Sequence, residues 1–143
     1  MNNSSMTALD ELSRDSDNLK HVKALYQALK AKDQTLLRSL LVDEPVWDVC
    51  PGFPNGAVYR GMDKVFGGFY RQLLSQVHSF GAFPERFVDG GDSVVALGYY
   101  RVVRKEGDQA VMVRFCHAWR IEQGGRIAGV WQVADSAQFP TNY

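Results

Sequence analysis

The sequence predicts an α+β domain, helices first and a strongly curved antiparallel sheet after, folded around a pocket for a small apolar ligand. Two observations carry that prediction. Apolar residues recur at three- and four-residue spacing as far as Val77, and at every second position beyond it. Turn signals at Asp89-Gly90-Gly91-Asp92, Glu106-Gly107-Asp108 and Gly124-Gly125 then divide the second half into four runs, as in consecutive hairpin-linked strands. A chain of 143 residues with 45% apolar content is enough for one core and too small for two.

Each element has its own warrant. Asp15, Ser16, Asp17 and Asn18 offer capping side chains before Leu19, Val22, Leu25, Tyr26 and Leu29, an amphipathic helical stripe. Asp33 can cap a second, short helix through Leu36, Leu37, Leu40 and Leu41, which Pro45 closes. Val46-Trp47-Asp48-Val49-Cys50 is β-rich and is stopped by Pro51-Gly52. A third helix follows from Met62, Val65, Phe66, Phe69, Tyr70, Leu73, Leu74 and Val77, with Asp63 in its first turn. Between Ala110 and Glu122 the alternation puts Val111, Val113, Phe115, His117, Trp119 and Ile121 on one face, so His117 points into the apolar side. The run Val94 to Val103 is apolar on both faces; three helices cannot cover both, so a homodimer across the outer face is expected.

Composition excludes several classes. Lysine plus arginine and aspartate plus glutamate both number 16, and no basic cluster exceeds two or three residues, which argues against nucleic acid. Residues 1–17 read as a flexible N-terminal segment ahead of a single domain at 18–143. They hold no apolar run of signal-peptide or anchor type, so a cytoplasmic protein without a membrane partner is expected. Cys50 and Cys116 lack metal-ligand spacing and read as buried thiols in a reducing compartment. No GxGxxG, phosphate loop or GxSxG occurs, so neither a nucleotide cofactor nor a serine nucleophile has support, and no cofactor is expected.

Three helices, a short strand and a four-strand meander resemble the nuclear transport factor 2-like superfamily, which includes ketosteroid isomerases, scytalone dehydratase and SnoaL-like polyketide cyclases. The resemblance spans about Asn18 to Phe139. It is carried by the turn at Lys32-Asp33, by Val46-Trp47-Asp48 before Pro-Gly, by Arg60-Gly61 leading into Gly68-Phe69-Tyr70-Arg71-Gln72, and by Trp119-Arg120-Ile121 with Gly125-Arg126-Ile127. It implies a cone-shaped sheet wrapped around the helices. It also implies that Asp48 corresponds to the general base of the isomerases and Tyr70 to their supporting tyrosine. His117 stands where they carry an oxyanion-hole acid, and Leu25, with Tyr26 one step round the helix, where they carry the oxyanion tyrosine.

Two chemical readings of these residues stay open. As an enzyme, the protein would move a proton beside a carbonyl or eliminate water, with Asp48 as base, His117 polarising the oxygen, and Tyr26 or Tyr70 assisting. Trp47, Phe66, Phe115, Trp119 and Trp131 would be pocket walls and Gln132 a single polar contact. As a binding module or accessory subunit, it would hold a small hydrophobic metabolite without turnover, Asp48 capping a turn and His117 serving as a satisfied core residue.

Overall fold

Ser16 starts the first helix, its hydroxyl accepting from the Leu19 N–H at 3.1 Å. The computed structural model describes residues 14–107 and 109–139. Most of the expected N-terminal segment therefore lies outside the described residues, as does Asp108 of the second turn signal. Helix α1 (Asp17–Ala31) buries Val22, Leu25, Tyr26 and Ala28 and ends where Lys32 turns left-handed at φ 54°. Asp33 caps α2 (Gln34–Leu40) by accepting from the Leu36 N–H at 3.1 Å.

Strand β1 (Leu41–Val49) begins one residue after α2 and has Pro45 inside it, where the sequence predicted a helix end and a later strand start. The proline is tolerated because the register of β1 shifts between Leu41 and Val46, so its missing N–H breaks no regular ladder. Its carbonyl accepts from the Gly61 N–H at 2.8 Å. A three-residue strand β2 (Val58–Arg60), too short to show alternation, pairs with β1. The third helix, α3, has an α turn (Met62–Lys64), a π-helical middle (Val65–Tyr70) and an α-helical end (Arg71–Gln76).

The meander follows as β3 (Ser79–Asp89), β4 (Ser93–Val103), β5 (Ala110–Ile121) and β6 (Ile127–Ala134). Strand order is β2-β1-β6-β5-β4-β3. The meander is antiparallel as expected, but β1 joins β6 in parallel, so the six-stranded sheet of the described residues is mixed. Helices and sheet share one core that includes Leu25, Leu37, Trp47, Leu73, Val102 and Trp119. The other face of the sheet exposes Met112, Trp131 and Val133. Among the described residues no helix is long and apolar enough to cross a membrane.

Candidate active site

The core is not filled. A cavity of about 490 Å³ opens between the concave face of the sheet and helices α1 and α3. The inward residues of β5 fall where alternation placed them: Val113, Phe115, His117, Trp119 and Ile121 are buried, and Val111 is half-buried near the strand's start. His117 lies opposite Ala96 of β4 and Gln132 of β6 and forms part of the cavity floor.

Both imidazole nitrogens are engaged. Nδ1 is 2.6 Å from the Tyr26 hydroxyl and Nε2 is 2.6 Å from the Tyr100 hydroxyl. Each phenol oxygen also receives a donor of fixed direction. Trp119 Nε1–H donates to Tyr26 at 2.8 Å, and Gln132 Nε2 donates to Tyr100 at 3.0 Å. The Gln132 amide cannot be turned round, because its Oε1 accepts from the Cys50 N–H at 3.1 Å. Phe115 stacks on the imidazole with ring centroids 3.8 Å apart and planes 9° from parallel.

Counting protons shows what this cluster can do. Burial holds His117 neutral, its pKa pushed down to about 3, so the ring carries one N–H. It donates to one tyrosine and accepts from the other. The tyrosine that accepts from His117 therefore keeps its own hydroxyl proton unspent, and a tautomer change moves that free proton from Tyr26 to Tyr100 or back. Tyr70 adds a second donor. Its oxygen accepts from Trp47 Nε1–H at 3.0 Å, and among the described residues its proton has no acceptor. All three phenols resist ionisation, Tyr70 being pushed up to about 12 and Tyr26 and Tyr100 well above the ordinary phenol range, in each case chiefly by burial. The floor thus offers neutral O–H donors suited to a ligand oxygen, and neither a ready acid nor a ready base.

Of the residues singled out from sequence, Tyr26, Trp47, Phe66, Tyr70, His117, Trp119 and Gln132 line the cavity. Three do not. Phe115 lies behind the imidazole, closed off by Tyr100 with centroids 4.7 Å apart, and acts as its backing. Asp48 and Trp131 are on the opposite face of the sheet, in a shallow depression with Arg120. The cause is the pleat: Trp47 and Val49 point into the core, so Asp48 between them must point out, as must Trp131 between Val130 and Gln132. The Asp48 carboxylate caps no turn either, having no hydrogen bond among the described residues. The pairing of Asp48 with His117 across one pocket is therefore overturned, and with it the carboxylate base. Sequence reasoning passed over Tyr100, whose strand is apolar on both faces. Its register with β5, one inward step from Phe115, was the available signal. The cysteines are free but only half-buried.

A family model described as the SnoaL-like domain matches residues 22–130. No curated protein matches the chain. Among solved structures, an NTF2-like protein of unknown function from Burkholderia pseudomallei K96243 is 25% identical over 86% of this chain and 94% of its own, with a TM-score of 0.76. TerC, crystallised with polyporic acid, is 20% identical over 87% of this chain and 95% of its own, with a TM-score of 0.76. IdmH of Streptomyces antibioticus, for which a polyketide cyclase role has been suggested, is 17% identical over 86% and 95%, with a TM-score of 0.70. Open mixed sheet, three covering helices and the match across both halves agree: this chain belongs to the SnoaL-like domain family and has the NTF2-like α+β cone fold.

Proposed function

We propose that the protein binds a small hydrophobic carbonyl or hydroxy compound in this cavity and polarises one of its oxygens, as a cofactor-independent isomerase, cyclase or dehydratase would. The observation behind this reading is the neutral His117 held between Tyr26 and Tyr100, which leaves a hydroxyl proton free at the floor of an aromatic cavity. A donor of that kind stabilises charge developing on a carbonyl oxygen, as in an oxyanion hole, without itself ionising. The described lining residues include no carboxylate, so the proton on carbon would leave to water, to buffer or to a basic group of the substrate. A polyketide cyclase role suggested for one structural neighbour, and polyporic acid crystallised with another, are compatible with that chemistry.

The missing carboxylate also favours a second reading, in which the cavity binds without turnover. One experiment separates them. In D₂O, 1-tetralone and 2-acetylnaphthalene are titrated against the fluorescence of Trp47 and Trp119, and deuterium uptake beside the carbonyl is followed by NMR. The first reading expects binding, together with exchange that falls roughly hundredfold in Tyr100→Phe or His117→Ala and is unchanged in Asp48→Asn. Binding without accelerated exchange would leave a carrier, and no binding by either ketone would remove both readings.

A further inference from the structure

The charged side chains at the cavity wall are Lys30, Lys32 and Arg71, all cations, while Arg101, which also borders it, pairs with Met112 and turns to the outer face of the sheet. In a chain with 16 residues of each sign, an unbiased wall would carry acids as well. All three are exposed, whereas the tyrosines below are buried or half-buried, so the positive charge lies at the entrance and the neutral donors at the floor. The ion pairs of the described residues, Lys23 with Asp15 and Arg126 with Asp43, involve none of the three. Asp33, the nearest carboxylate in sequence to Lys32, is engaged with the Leu36 N–H. The Lys30 ammonium lies 5.9 Å over the Phe83 ring, against the cavity wall. Complementing the C-terminal end of α1 would account for Lys30 and Lys32. It does not account for Arg71 on α3.

We propose that the ligand is an amphipathic carboxylate. Its ring body lies against Trp47, Phe66 and Phe69, its carboxylate meets Lys30, Lys32 and Arg71 at the entrance, and a neutral oxygen reaches the tyrosines of the floor. This rests on reading the cavity as a ligand site, and the test distinguishes the two claims. The probe is 6-hydroxy-2-naphthoate, compared with its methyl ester by tryptophan fluorescence at low salt. The carboxylate should bind about tenfold more tightly than the ester, and that advantage should disappear near 500 mM salt, where the screening length is about 4 Å. Arg71→Gln and Lys32→Gly should erase it while leaving ester binding unchanged. Lys32→Gly also guards against misfolding as an explanation, because glycine is the favoured residue at the left-handed end of a helix, so the melting temperature should not fall. Equal affinities for acid and ester would overturn the anionic ligand and leave the cavity reading standing. Failure of both compounds to bind at millimolar concentration would overturn both.

Discussion

His117 bonds two phenols inside a wall of aromatic rings, and its resistance to a second proton makes stability depend on pH in a definite direction. In the unfolded chain the imidazole takes up a proton near pH 6.5, while in the fold it stays neutral down to about pH 3. Between those values the unfolded state binds more protons, so stability falls as acid is added, by about 1.4 kcal/mol per pH unit from this residue alone. The alkaline side mirrors it. Tyr26, Tyr70 and Tyr100 have raised pKa values, so above about pH 10 the unfolded chain loses protons that the fold keeps, and stability falls again. Urea denaturation across pH should show both limbs. His117→Ala should cost about 1–3 kcal/mol at pH 7, because two phenols lose their partner, and should flatten the acid limb; an unchanged acid limb would assign it to other groups. Much of this was readable from sequence, since alternation in β5 turned His117 inward and burial demanded a partner. Asp48 was not readable. Its strand is apolar on both faces, and only the packing of Trp47 against Trp119, with centroids 5.5 Å apart, shows which face is the core.

Helices and long strands announced themselves by period, whereas elements defined by their partners did not. Strand β2 exists because β1 offers an edge, Pro45 survives in β1 because the ladder is interrupted there, and the π-helical middle of α3 keeps an apolar stripe that an ordinary helix would also show. Glycines separate these elements experimentally. Gly67 and Gly68 lie in that middle turn of α3, and a Cβ added to either would meet nothing within 4 Å. Gly67→Ala should therefore stabilise by about 0.4–1 kcal/mol, through reduced freedom of the unfolded chain. Gly129 of β6 is the opposite case: its Cβ would sit 2.3 Å from the Val46 carbonyl oxygen of β1. Gly129→Ala should destabilise by about 1–3 kcal/mol as the parallel pair is forced apart. Denaturant midpoints for the two variants should move in opposite directions, and movement in the same direction would contradict this account of the β1–β6 contact.

For the whole molecule, the apolar side chains exposed on the outer sheet face call for a cover, and we propose a second copy of the chain. Trp131 is 53% exposed, Met112 49% and Val133 37%, and all three lie on that face. Asp48 and Arg120 share its depression without an ion pair between them, the self-complementary charge that a two-fold interface uses. Light scattering at micromolar concentration should give about twice the 16.1 kDa chain mass, and Trp131→Asp should return it to the single-chain value. A monomer in the unsubstituted protein would make the face a solvated one. The cone itself was legible from the order of helices and hairpins, but the parallel seam was not, because nothing local in β1 or β6 encodes a partner so far along the chain. That seam also bears on the order of assembly. Cys50 and Gln132, joined across it, are 82 residues apart, and the chain must cross α3 and three strands of the meander before they meet. Loop-closure entropy is paid before such a contact returns anything, so the seam belongs to the late, slow part of folding. The same contact fixes the Gln132 amide that orients Tyr100. During synthesis the helices and early hairpins can gather first, and the donor array becomes complete only when the last strand arrives.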